Sequence, residues 1–139
     1  MKRNKFVIIA VLTVLFSGLC FAQSLKDGTY KGESQASYTQ EPYWGECKLT
    51  VKNDKIISFD FYIIDKDKNQ IFDKDYEKVF AGNDEYILQC RNDLKGIEQY
   101  VKAYKKNMNM NDVDAVSGAT WSYNIFKATV EQALKKAEK

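Results

Sequence analysis

Residues 44–64 read WGECKLTVKNDKIISFDFYII, and the alternation within them decides the fold. Gly45, Cys47, Leu49 and Val51 fall on one face of an extended chain, and Trp44, Glu46, Lys48 and Thr50 on the other. Successive side chains of a strand point to opposite sides, so this is the pattern of a half-buried strand. Asn53-Asp54 comes next, and both residue types accept the left-handed backbone of a two-residue hairpin turn. The return strand, residues 55–64, sets Ile57, Phe59, Phe61 and Ile63 on one face, against Ile56, Ser58, Asp60, Tyr62 and Ile64 on the other. Its second face carries apolar residues too, so this strand is expected at the centre of a sheet, partly covered on both sides.

Outward from the hairpin the pattern changes. Upstream, residues 28–35 read as a short strand around Thr29 and Tyr30, and residues 36–43 as a turn ending near Pro42. Downstream, the charged run Asp65 to Asn69 lacks the glycine and terminal glutamate of a calcium loop and is expected as solvated surface. Phe72, Tyr76, Val79 and Phe80 recur at helix-like spacing until Gly82-Asn83. Over residues 84–106 the period is helical, with Ile87, Cys90, Leu94, Ile97, Val101 and Tyr104 on one stripe and Gly96 in its middle. A last helix is expected over residues 122–136, burying Phe126, Thr129, Val130, Ala133, Leu134 and Ala137. These elements predict an α+β domain, a small antiparallel sheet packed against helices, over residues 23–139.

Residues 1–22 stand apart. Lys2, Arg3 and Lys5 precede an apolar run from Phe6 to Phe16, and the small residues Ser17, Gly18, Cys20 and Ala22 follow. This is the pattern of a secretory signal peptide. The run is shorter than the roughly 20 residues of a membrane span, which ranks an anchor second. Cleavage after Ala22 is the first reading, and lipidation of Cys20 the second. Removing residues 1–22 lowers Lys+Arg from 21 to 18 against 19 Asp+Glu, so the charge passes from +2 to −1. The basicity belongs to the export signal, and no basic stripe supports a nucleic-acid partner. The chain has no histidine, which weakens histidine-based catalysis or metal binding. Cys47 and Cys90 both fall on core-facing positions. An exported protein permits a disulfide between them; two buried thiols are the alternative.

The informative segment is Asp112 to Ser122, DVDAVSGATWS. The small residues Ser117, Gly118 and Ala119 allow close approach of a ligand to the backbone. Thr120 offers a hydroxyl just before a helix, whose first amides favour an anion such as a phosphate. On these grounds alone, Thr120 or Ser122 acting as a helix cap ranks ahead of a ligand site.

Asp114, Ser117, Gly118, Ala119 and Thr120 resemble, in order, the attachment motif of the FMN-binding domain family. The resemblance extends to Asp27-Gly28-Thr29-Tyr30-Lys31-Gly32 as an opening strand. It also takes in Tyr43-Trp44-Gly45 with residues 51–56 as the hairpin, and Ala128 and Ala133-Leu134 in the last helix. Together these span nearly all of residues 27–137. Two features depart from the family pattern: Tyr123 follows Ser122 where small hydroxylated residues are common, and the Tyr43-Trp44-Gly45 turn is bulky.

The resemblance implies FMN joined by a phosphodiester to Thr120 and delivered from FAD by an exported FAD:protein FMN transferase, with Asp114 serving recognition by that enzyme. It implies an electron carrier acting between redox donor and acceptor proteins that the sequence does not identify. The home would be periplasmic or extracellular, with a lipid anchor if Cys20 is modified. A flavin ring needs flat apolar contacts, for which Trp44, Tyr43, Tyr38 and Trp121 are candidates. Ring chemistry belongs to the cofactor, so no residue is assigned a catalytic role. A non-covalent flavin-binding or sensory module is the alternative, and a reductase would need a substrate pocket as well.

Overall fold

A computed structural model describes residues 24–36 and 40–139. The expected export signal with Cys20, and the candidate ring contact Tyr38, lie outside the described residues. Four antiparallel strands form one open sheet in the order β1-β2-β3-β4: β1 Gly28–Ser34, β2 Tyr43–Lys52, β3 Lys55–Asp65 and the two-residue β4 Gln70–Ile71. A short 3-10 helix, Tyr76–Phe80, leads into α1, Asp84–Asn107, and the chain closes with α2, Thr120–Ala137. The fold is the expected α+β arrangement, with both helices on one face of the sheet.

The hairpin forms for the reasons read in the sequence. Asn53 and Asp54 take φ of 52° and 60°, the left-handed pair that matches the twist of a two-residue turn. Gly45, Cys47, Leu49 and Val51 are buried as expected. The return strand differs in one place. Thr50 pairs with Ser58 while Val51 pairs with Ile56, so Ile57 is the extra residue of a β-bulge. The bulge reverses the alternation near the turn: Ile56 packs against the core, and Ile57, expected inside, is 59% exposed. Phe59 and Ile63 are buried as expected.

The charged turn at 65–69 is also different from its expectation. Asp65 is fully buried. Its carboxylate accepts from the Asp67 and Lys68 amides at 3.0 and 3.1 Å, from Lys68 Nζ at 2.9 Å and from the Tyr76 hydroxyl at 2.5 Å. Burial raises the Asp65 carboxyl, but these hydrogen bonds outweigh it and hold the group below its ordinary value. The turn is therefore an anchored corner whose neighbouring residues are exposed.

Each helix carries its own start and stop signals. The Asn83 side chain accepts from the Tyr86 amide to cap α1, Asp84 and Glu85 lie in its first turn, and Met108 ends it at φ 52°. The two helices and the sheet enclose two adjoining cores. One centres on Leu49, Phe59, Tyr104, Phe126 and Val130, the other on Ile63, Phe72, Tyr76, Cys90 and Ile125. Cys47 belongs to the first and Cys90 to the second, and both are free thiols. The disulfide considered from sequence is thus absent here: the core-facing periodicity of each cysteine was read correctly, but it did not say which core each would enter. Burial pushes the Cys47 thiol up to about 11, keeping it protonated.

Helix α2 rests on β1 and β2 at glycine distance. A Cβ at Gly32 would overlap the Thr129 carbonyl oxygen, and one at Gly45 would overlap the Thr129 hydroxyl and Ile125. A main-chain oxygen cannot swing aside as a side-chain tip can. Gly32→Ala should therefore destabilise the protein by about 3 kcal/mol, the upper end for overpacking, measured by urea unfolding against the parent.

Candidate functional site

Because Gly45 faces α2, its strand neighbour Trp44 faces away from the helices, and Tyr43 faces toward them. Tyr43 thereby meets Trp121, the second residue of α2, ring edge to face at 5.1 Å. Phe72 packs against both, at 6.1 Å from Tyr43 and 5.5 Å from Trp121. Phe80 and Tyr86, stacked at 5.1 Å, continue this aromatic wall. Between them lies an open cavity of about 260 Å3, with Glu41, Gln89, Cys90 and Asp93 as its other lining residues. The Tyr43 hydroxyl is 2.9 Å from that of Tyr76, whose own proton is committed to Asp65. Tyr43 therefore donates to Tyr76, and the anchored corner at Asp65 holds the cavity wall in place.

Helix α2 begins two residues earlier than its pattern suggests, so Thr120 is its first residue. Neither Thr120 nor Ser122 caps it: the N-cap position is Ala119, which has no side-chain acceptor. Asp93, on α1, takes that part. Its Oδ1 accepts from Ser122 Oγ at 2.7 Å and lies 3.4 Å from the Ser122 amide. Its Oδ2 accepts from Gln89 Nε2 at 2.7 Å, and the same nitrogen donates to the Gly118 carbonyl at 3.0 Å. Among the described residues, this leaves the Thr120 and Trp121 amides without a protein acceptor. Burial raises the Asp93 carboxyl above its ordinary value, and Gln89 and Ser122 only partly offset this.

The loop before α2 is held from α1 at two further points. The Tyr100 hydroxyl accepts from the Val116 amide and donates to the Ala119 carbonyl, both at 2.9 Å. A Cβ at Gly96 would overlap that of Ala119, which is fully buried. Gly118 takes φ +81°, open only to glycine without strain, and a Cβ there would meet Asn92 first, at ordinary contact distance. Ser117, Gly118 and Thr120 are exposed in consequence, as is Asp114.

The structure thus brings Tyr43 and Trp121 together at the cavity, and the Ser117–Thr120 loop leads into Trp121 without itself lining the cavity. Asp114 lies earlier in the same loop and, like residues 117–120, does not line the cavity. Trp44, a candidate ring contact from sequence, is on the helix-free face, where Lys66 Nζ sits 4.2 Å from its ring centroid. Strand alternation separates adjacent aromatics, so Tyr43 and Trp44 could not both face one pocket. Asp93, Gln89, Phe72 and Tyr86 were missed from sequence. Asp93 was the one with a signal: a lone carboxylate between Cys90 and Leu94, beside the apolar stripe of α1.

The sequence model of the FMN-binding domain matches residues 43–135, from the first residue of β2 almost to the end of α2. The chain belongs to the FMN-binding domain family. The crystal structure of the CPE2226 protein from Clostridium perfringens is similar to this FMN-binding domain, with 29% identity and a TM-score of 0.53. The match covers 81% of this chain and 88% of that one. No curated protein matches the chain. Among the described residues, no helix of this FMN-binding domain is long and apolar enough to cross a membrane, and no group of three or more histidine, cysteine or acidic residues could hold a metal ion.

Asp93 gives the domain a measurable pH signature. A carboxyl raised in the folded state binds protons more readily there than in the unfolded chain. Its contribution is stabilising below the ordinary value of 3.8 and is lost as pH rises through the folded value. Asp93→Asn should remove that fall in stability. Unfolding curves of parent and variant, taken in steps from pH 3.5 to neutrality, should converge at the acid end and separate upward if this holds.

Proposed function

We propose that this protein is an exported electron-transfer flavoprotein whose FMN is joined by a phosphodiester to the hydroxyl of Thr120. The observation that carries the reading is the position of Thr120: exposed, first in α2, directly before the Trp121 that walls the aromatic cavity. Family membership supports FMN as the cofactor and an electron-transfer role.

The residues present fit the group. The cavity, about 260 Å3, falls just below the roughly 300–1,000 Å3 of sites that enclose whole ligands. It suits a planar ring against Tyr43, Phe72, Tyr86 and Trp121, with the rest of the molecule leading out to the loop. The two unclaimed amides of α2 and the bare backbone at Gly118 suit a phosphate there. When bound, FMN supplies the electron-accepting ring, and the protein supplies its position and surroundings. The domain acts as a carrier in this reading, with no acid or base of its own required.

Delivery requires FAD and an exported FAD:protein FMN transferase, which would recognise the exposed Asp114. The Thr120 hydroxyl loses its proton and attacks the FMN phosphorus of FAD, the pyrophosphate bond breaks, and AMP leaves. The electron donor and acceptor are further proteins outside the cytoplasm, and residues 1–22 supply the export signal. Covalent attachment answers a physical problem of that location, since a dissociated FMN would be lost by dilution.

The test is the intact mass of the denatured protein after co-production with a transferase in an exporting host. The expected gain is that of FMN less one water, on the peptide containing Thr120. Thr120→Ala should carry no covalent flavin, with stability changed by only about 0.5 kcal/mol, because this exposed side chain caps nothing. Flavin that binds the folded protein but is released on denaturation would instead favour a non-covalent module.

A further inference from the structure

Helix α1 presents Gln89, Asp93, Gly96 and Tyr100 along one stripe, and each touches the segment 116–122. Spacings of four, three and four residues keep these positions on one side of a helix. Three of the four contacts serve main-chain atoms or a methyl packed in the loop. Asp93 differs, because it reaches into the first turn of α2. It is 2% exposed and binds Ser122, two residues beyond Thr120.

A helix whose N-cap is alanine lacks the side-chain acceptor that ordinarily fixes its first turn. Here the acceptor comes from another helix, so the orientation of the first turn is referred to α1 and not to the loop itself. The Ser122 hydroxyl also lies 3.0 Å from the Ala119 carbonyl, and its single proton serves one acceptor at a time. Without Asp93 that proton would turn to Ala119, and the Ser122 amide would lose the Asp93 oxygen 3.4 Å away.

We infer that Asp93 is the positioning residue for the acceptor hydroxyl, holding Thr120 in the orientation in which a transferase attaches FMN. The inference rests on the Thr120 reading above. Asp93 acts through Ser122 and needs only an oxygen acceptor there, so asparagine should replace it and alanine should not. Because the effect is on orientation at the reacting atom, it should appear in turnover more than in binding of the protein to the transferase.

The experiment measures covalent FMN incorporation by a purified transferase from FAD, with flavin-free protein as the varied substrate. Asp93→Ala should lower kcat at least about tenfold with KM little changed, and Asp93→Asn should restore most of the loss. Ser122→Ala, which removes only the hydroxyl half of the contact, should fall between them and covers the case in which Asp93→Ala fails to fold. Amide hydrogen exchange on the flavin-free proteins gives a second readout: Ser122 should exchange at least about tenfold faster in Asp93→Ala, with the sheet unchanged. Equal incorporation by the parent, Asp93→Ala and Ser122→Ala would overturn the inference while leaving the Thr120 reading intact. A parent that stays unlabelled, beside a control substrate that is labelled, would remove the Thr120 reading and this inference with it.

Discussion

The close seat of α2 on the sheet is the constraint on which the rest of the structure depends. Thr129 sits where Gly32 and Gly45 leave room for its carbonyl and hydroxyl, so the helix axis lies nearer β1 and β2 than any side chain there would allow. The helix crosses from this point to its first residue as a rigid rod, and the seat therefore fixes where that residue emerges. It also decides which strand residues are available to the site. Once Gly45 is turned toward α2, Tyr43 must share that face and meet Trp121, while Trp44 must point to the opposite side. The cavity is thus a consequence of two glycines, Gly32 and Gly45, far upstream in the sequence from the 114–120 segment.

A second helix supplies what α2 lacks. The loop from Val116 to Ala119 has little apolar mass with which to hold itself, and its glycine adds conformational freedom. It is ordered instead from α1, by Tyr100 on both sides of one turn, by the packing of Ala119 on Gly96, and by Gln89 on the Gly118 carbonyl. The exposed faces of Ser117, Gly118 and Thr120 are left open because every hold comes from beneath. In the proposed reading, that arrangement suits a segment that a transferase would have to reach.

Much of the fold was legible because alternation and helical period report local geometry. Both long strands, the Asn53-Asp54 turn, the length of α1 and the buried face of α2 follow from those periods. The errors have one physical character: each depended on a partner distant in sequence. Ile57 was placed inside because a bulge is a property of two strands and not of one. Asp65 looked like surface because the hydroxyl that buries with it, that of Tyr76, lies beyond β4. Thr120 and Ser122 looked like caps because the acceptor that displaces them is on another helix. The site was legible at its motif and at Tyr43 and Trp121. It was not legible at Gln89, Asp93 or Phe72, which enter only when α1 and the 71–80 segment fold over the end of the sheet.

Three of the groups lining the cavity are set toward their uncharged forms. Burial raises Asp93, Cys90 and Tyr43. For the thiol and the phenol, this places ionisation farther above neutrality than in free side chains. Tyr76, behind Tyr43, is raised further by burial and by the Asp65 carboxylate that takes its hydrogen bond. The Tyr43 and Tyr76 hydroxyls, their protons committed in one chain to Asp65, change little when charge arrives or leaves beside them. These hydroxyls would, in the proposed reading, meet a change of charge on a bound ring as fixed dipoles, with little reorganisation of their own. In the proposed reading, that steadiness is what a carrier needs: attachment at Thr120 retains the cofactor, which frees the cavity from having to bind tightly. An open cavity of about 260 Å3 would then be sufficient.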